Sequence, residues 1–226
     1  MSERARELST EPAGLRIYHG YFDRDAQDEL LAAIGAVLAA APLFTPRMPR
    51  SSRPFSVRMS NCGPLGWISD ERGYRYQSTH PATGRPWPAI PQRLIALWRD
   101  VARYAEPPEA CLINFYDRTA KMGLHQDRDE ADFAAPVVSI SLGDDCLFRV
   151  GGSHRRDPTK SVRLSSGDVL VLGDDARLSF HGVDRIYPGT SSLLADGGRI
   201  NLTLRRVTQR ANRTSAEVEA KAPHHA

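Results

Sequence analysis

From Ala110 onward the apolar residues of this chain recur at every second position, in short runs bounded by Gly, Asp, Ser or Pro. That alternation constrains the fold more than any other feature. A period of two places successive side chains on opposite faces of an extended backbone, so each run reads as a strand with one face to bury. The spacing predicts strands at 111–116, 136–142, 146–150, 161–164, 168–172, 178–181 and 199–207. Two helical patterns precede them. Leu30, Ile34, Val37 and Leu38 share a face over 25–40, with Asp23 or Asp25 as cap and Pro42 as stop. Ile90, Leu94, Leu97, Trp98 and Val101 make a second stripe over about 90–104. Many close-set strands after two helices, with no strand–helix alternation and no internal repeat, predict a mainly β, α+β domain. The economical arrangement is an antiparallel barrel or double-sheet jelly roll backed by the helices.

The 226 residues suit one compact domain with polar ends: a flexible tail over 1–13 and a second tail over 208–226, rich in Ala, Arg, Glu and His. The segment 42–88 holds eight prolines and scattered aromatics, the composition of a loop- and hairpin-rich lid. Thirty basic against 27 acidic residues permit an anionic partner without requiring one. Three widely spaced cysteines, Cys62, Cys111 and Cys146, suit neither a disulfide framework nor a zinc site and point to a reducing compartment. With a polar start and no long apolar run, the expectation is a cytoplasmic protein with no membrane partner; a monomer is expected as well.

His125 and Asp127 form an H-x-D pair, a common pattern whose bland reading is a surface hydrogen bond. With His181, in RLSFHGV, they supply two imidazoles and one carboxylate, the facial set used by non-haem iron(II) oxygenases. Such a set occupies one side of an octahedron and leaves three positions open, enough for a bidentate 2-oxo acid and dioxygen. His19 and His80 lie in loop-like phrases and read as structural or surface residues, as does His154, which sits in a basic turn where a phosphate contact is also open. His224 and His225 read as solvated tail residues.

The strand RINLTLRRV puts Arg199, Asn201, Thr203 and Arg205 on one face and Ile200, Leu202 and Leu204 on the other. A solvated outer face of the sheet is the commoner explanation of such polarity. A dicarboxylate slot is the functional one, because guanidinium matches carboxylate bidentately. Leu112, Asn114 and Tyr116 give a matching face on the strand 111–116.

Taken together, the phrases MSNCGPLGWISDERGYRY, GRPWPAIP, LINFYDRTAKMGLHQDRDE, APVVSISLG, FRVGG, GDVLVLGDDARLSFHGV and RINLTLRR resemble the bacterial AlkB proteins over roughly 15–207. The resemblance implies a double-stranded β-helix domain over 14–207 with a nucleotide-recognition lid at 42–88. It implies Fe(II) on His125, Asp127 and His181, with 2-oxoglutarate against Asn114, Tyr116, Arg199, Asn201 and Arg205 and O2 as co-substrate. For substrate it points to Trp67, Tyr74, Asp129, Glu130 and Arg155. A flipped base would lie between Trp67 and His125, and Asp129 would take an exocyclic amine. Trp67 and Tyr74 read otherwise as lid packing, and Asp129 and Glu130 as solvated turn charges. SHRR at 153–156 departs from the family pattern and leaves the role of Arg155 open.

The implied activity is oxidative demethylation of N-alkylated bases, of the 1-methyladenine and 3-methylcytosine type. The partner would be single- or double-stranded DNA, or RNA, with formaldehyde, succinate and CO2 released. Arg210 and Arg213 are candidate phosphate contacts, and Arg47, Arg50, Arg53 and Arg58 suit a nucleic-acid path and a solvated face equally. The rival readings are the same chemistry on RNA, protein or a small molecule, and a catalytically silent nucleic-acid-binding module.

Overall fold

The computed structural model describes residues 7–10 and 12–209. In chain order the elements are β1 (Glu7–Thr10), β2 (Leu15–Tyr18), α1 (Arg24–Ala40), β3 (Arg58–Cys62), β4 (Gly66–Asp70), β5 (Gly73–Gln77), α2 (Gln92–Val101), β6 (Ala110–Tyr116), β7 (Met122–His125), β8 (Val137–Gly143), β9 (Asp145–Val150), β10 (Lys160–Leu164), β11 (Val169–Leu172), β12 (His181–Tyr187) and β13 (Arg199–Arg205). All strand pairs are antiparallel. A seven-stranded sheet runs β1-β2-β11-β8-β13-β6-β3, a four-stranded sheet runs β10-β9-β12-β7, and β4 and β5 form a separate hairpin. This is the double-sheet jelly roll expected from the alternation.

Alternation sorts the side chains into two cores. On one face of the large sheet, Cys111, Ile113, Val138, Ile140, Leu142, Ile200, Leu202 and Leu204 pack with Leu30, Ile34 and Val37 of α1 and Leu94, Leu97 and Trp98 of α2. On the other face, Leu15, Ile17, Leu112, Tyr116, Leu170 and Leu172 meet Cys146, Phe148, Val150, Val183 and Ile186 of the small sheet. The polar face of β13 therefore points between the sheets. A solvated outer face is excluded, since Arg199 and Arg205 are 1% and 6% exposed.

The helices follow their signals. Asp23 caps α1 by accepting from the Ala26 amide at 2.9 Å, the reciprocal of the orphan donors at a helix start. The second helix is shorter than its stripe because Arg103 adopts φ +53°, which a continuing helix cannot contain.

Four segments differ from the sequence reading. Glu7–Thr10, assigned to a tail, pair with β2. Within 42–88, β3 joins the large sheet beside β6, so only part of that segment stands over the site. Met122–His125, not foreseen as a strand, is the edge strand β7. Residues 174–178 form a 3₁₀ turn and the strand begins at His181 instead of ending there. Residues 210–226, with Arg210, Arg213, His224 and His225, lie outside the described residues. Among the described residues no helix is long and apolar enough to cross a membrane.

Candidate active site

His125 ends β7 and His181 begins β12, and the register pairs them directly across the two strands. Directly opposed residues of an antiparallel pair project from one face, and the imidazole centroids lie 4.5 Å apart. The strands can approach because Gly182 has no side chain: a Cβ there would stand 2.5 Å from the Met122 carbonyl oxygen and 2.9 Å from that of Gly123. Each ring donates its Nδ1 proton to a backbone carbonyl two residues earlier, His125 to Gly123 and His181 to Ser179, both at 2.9 Å. That fixes the tautomer and leaves both Nε2 atoms as free lone pairs. Both face Asp127, at 3.7 Å from His125 and 4.0 Å from His181. The donor atoms of the three residues lie within 4.8 Å of one another, a set that could hold one metal ion.

Electrostatics favour this state. Burial raises the Asp127 carboxyl pKa, but Arg205 and then the two imidazoles outweigh burial and hold it below the usual carboxylate range. Burial, reinforced by His125, pulls His181 down to about 4 against the opposing pull of Asp127. At neutral pH the site therefore presents a carboxylate and a neutral buried imidazole, the ligand forms of both side chains.

Asp127 is held from behind. Arg205 donates to Asp127 Oδ2 through Nη2 at 2.8 Å and Nε at 3.0 Å, and its Nε lies 3.5 Å from Glu130 Oε1. Glu130 Oε2 accepts from Arg177 Nη2 at 3.1 Å, and Oε1 accepts from the Tyr76 hydroxyl. Arg177 also donates to the carbonyls of Asp127, at 2.6 Å, and Ala135, at 2.8 Å. Glu130 is thus a buried hub instead of a solvated turn charge, at 5% exposure. Its neighbour Asp129 is exposed, as a turn residue would be.

In front of these groups is a cavity of about 730 Å³. Asn114, Tyr116, Asn201, Thr203 and Arg205 line its inner part, and Phe148, Leu112 and Leu170 add apolar wall. Asn201 is oriented by Nδ2 donation to Ser139 Oγ at 2.7 Å and by accepting from Thr203 Oγ1 at 2.9 Å. Asn114 Oδ1 and Arg199 Nε are buried with no partner among the described residues, the sort of orphan that a bound polar ligand relieves. The cavity lining includes four of the five candidate cosubstrate residues but not Arg199. Its Nη2 donates to Ser141 Oγ at 2.7 Å, and its Nη1 to the Asp144 carbonyl.

The outer part of the cavity is roofed by the β4–β5 hairpin. Trp67 stacks on Tyr74, with centroids 5.6 Å apart and planes at 17°, and donates its indole proton to Asp129 Oδ2 at 2.8 Å. Arg155 reaches the rim, donating to the Leu124 carbonyl at 3.0 Å and lying over the Phe180 ring. All five candidate substrate residues line this one cavity. Of the arginines expected along a nucleic-acid path, Arg47 donates to the Ser52 carbonyl and Arg58 lies over Phe115, while Arg50 and Arg53 make no side-chain hydrogen bond among the described residues. His80 is buried and fixed, Nε2 donating to the Pro42 carbonyl and Nδ1 accepting from the Ala82 and Thr83 amides. Sequence reasoning missed Tyr76 and Arg177. Tyr76 carried a signal, since Tyr74 and Tyr76 share one face of a two-residue alternation, whereas nothing local marks Arg177 as buried.

The sequence pattern of the 2OG-Fe(II) oxygenase superfamily matches residues 14–205. The chain is similar to an alpha-ketoglutarate-dependent dioxygenase AlkB homolog of Caulobacter vibrioides, 54% identical over 202 residues, covering 89% of this chain and 91% of that one. It is 41% identical over 189 residues to the alpha-ketoglutarate-dependent dioxygenase AlkB of Escherichia coli, covering 82% and 87%. Among solved structures, OsALKBH1 superposes with a TM-score of 0.74 at 32% identity, covering 89% of this chain and 100% of that chain. The paired imidazoles, the buried carboxylate and the arginine strand therefore stand in a known setting: the chain belongs to the AlkB family of the 2OG-Fe(II) oxygenases, enzymes that use Fe(II), 2-oxoglutarate and O2.

Proposed function

We propose that this enzyme oxidatively demethylates N-alkylated bases in nucleic acid, of the 1-methyladenine and 3-methylcytosine type in DNA or RNA. The observation that carries the reading is one cavity whose inner end has the three metal donors and an arginine, and whose outer end has an aromatic platform beside a carboxylate. Iron would sit on His125, Asp127 and His181, with 2-oxoglutarate against Asn114, Tyr116, Arg199, Asn201 and Arg205. The bound group supplies, with O2, the oxidation of an N-methyl carbon to a hydroxymethyl that leaves as formaldehyde, with succinate and CO2 as co-products.

The protein supplies geometry and exclusion of water. Arg205 holds Asp127 in its charged form so that the carboxylate stays aimed beside the two Nε2 atoms. Trp67, already stacked on Tyr74, offers a ring face for a base taken out of its stack. Asp129 uses only Oδ2 for the indole, so Oδ1 is available to an exocyclic amine and to the positive charge of a methylated adenine or cytosine. Arg155 stands at the rim, in reach of a backbone phosphate. The apolar walls, with Phe148 stacked on His181, keep the reacting end dry. Three buried free cysteines support a reducing, cytoplasmic setting.

The test is mass spectrometry of oligonucleotides carrying one 3-methylcytosine, as DNA and as RNA, beside a trimethyl-lysine peptide. Each is incubated with iron(II), ascorbate and 2-oxoglutarate, with His181→Ala as control. Loss of one methyl mass from an oligonucleotide with the unaltered enzyme alone is expected. Demethylation of the peptide only would overturn the nucleic-acid reading, and succinate without any methyl loss would leave the oxygenase but reject these substrates.

A further inference from the structure

Trp67 and Tyr76 are directly opposed across the β4–β5 hairpin, so their side chains leave the same face. They reach consecutive acidic residues of the loop that follows the metal-side donors, Trp67 to Asp129 and Tyr76 to Glu130. The first contact belongs to the exposed substrate end of the cavity. The second enters a buried chain of charge. Glu130 Oε1, the oxygen that accepts from Tyr76, is also the one 3.5 Å from Arg205 Nε, while the same Nε donates to Asp127 Oδ2 at 3.0 Å. Two carboxylates thus compete for one guanidinium, and the Tyr76 hydroxyl takes up acceptor capacity on one competitor. Buried hydrogen bonds of this kind polarise one another, so loosening one redistributes the rest.

We infer that Tyr76 is a positioning residue for the reaction: by donating to Glu130 it sets how firmly Arg205 is held on Asp127, and so couples seating of the hairpin over a base to the affinity of the inner slot for 2-oxoglutarate. The inference rests on the functional reading above. Arg177 pins the far oxygen of Glu130 and the carbonyls of Asp127 and Ala135, so the loop itself stays in place while the hairpin contact varies. A base that lifts or presses the hairpin therefore acts on Oε1 and Arg205 first. Coupling between two sites is reciprocal, so 2-oxoglutarate also tightens the oligonucleotide by the same factor.

The test is calorimetric. Manganese(II)-loaded protein is titrated with 2-oxoglutarate with and without a 3-methylcytosine oligonucleotide, and the ratio of the two dissociation constants is the coupling factor. About fivefold or more is expected for the unaltered chain, the lower end of ordinary coupling. Tyr76→Phe removes one hydroxyl and is expected to bring the factor to about one, with the oligonucleotide still bound. Tyr104→Phe, which removes a comparable hydroxyl bond to Asp132 on the same loop but has no link to Arg205, is expected to keep it. In a Glu130→Gln background the Tyr76→Phe change is expected to add nothing further. Coupling retained in Tyr76→Phe, coupling absent in the unaltered chain, or equal loss in Tyr104→Phe would each overturn the inference. Failure of the unaltered chain to bind the methylated oligonucleotide at all would instead overturn the functional reading on which it rests.

Discussion

Asn114, Asn201 and Arg205 come from strands paired on both sides within the large sheet, whereas Trp67, Tyr74 and Tyr76 come from a hairpin whose strands pair only with each other. Most of the inner groups are buried, and Arg205 and Asn201 are each held by several partners. Arg205 has two carboxylates, Asn201 has Ser139, Ile140 and Thr203, and the histidines have their own carbonyls. The outer groups rest on single side-chain bonds, and Tyr74 is 49% exposed. The difference follows the chemistry each end would perform. A metal and a dicarboxylate need atoms fixed to a fraction of an ångström, and a central strand provides that. A base entering from a polymer needs an entry that opens, and a hairpin tethered through a few contacts can move without unfolding the barrel.

The largest effect should come from breaking the inner end. Arg205→Met leaves Asp127 buried without its cation, a loss of about 3–5 kcal/mol in stability. Urea unfolding of the metal-free protein measures it, and a change under about 1 kcal/mol would mean that water enters and solvates Asp127. A smaller effect is expected at the outer end. Trp67→Phe keeps a ring but loses the indole donor to Asp129, which should weaken methylated-oligonucleotide binding by about three- to tenfold. The same change should leave consumption of 2-oxoglutarate without substrate nearly unchanged, and equal losses in both assays would merge the two ends into one unit. The smallest effect concerns the hairpin alone. Arg75 holds the Asp70 carboxyl down to about 2, below its ordinary value of about 3.9. A carboxyl depressed by folding stabilises above its unfolded pKa and loses that contribution as pH falls through the folded one, here between about 4 and 2. Both side chains are partly exposed, at 43% and 31%, so the change is under about 1 kcal/mol. Hydrogen exchange of β4 and β5 between pH 5 and 2, compared with Asp70→Asn, measures it.

Much of the inner end could be read from the sequence because alternation is a local property. Placing Arg199, Asn201, Thr203 and Arg205 on one face of β13 required only the period of two. Which face points inward did not follow from it, since that depends on α1 and α2 covering the opposite side. The strand predicted at 178–181 gives way to a turn because Leu178 and Phe180 alternate over too short a window to distinguish a strand from the turn leading into one. Glu130 read as a turn charge because its partners Tyr76, Arg177 and Arg205 lie 54, 47 and 75 positions away, beyond what spacing conveys. The family resemblance placed Glu130 in the cavity, but its role as a hub emerges only from the packed side chains.

His125, Asp127 and His181 are placed so that they could hold one metal ion. Calorimetric titration of the metal-free protein with iron(II) under argon tests it most directly, with His125→Ala and His181→Ala beside the unaltered chain and each fold checked by circular dichroism. One ion per chain is expected in the unaltered protein and at least about a hundredfold weaker binding in each variant, as removal of a first ligand should exceed the 10–100-fold loss seen for supporting residues. Equal affinity in all three folded proteins would contradict it.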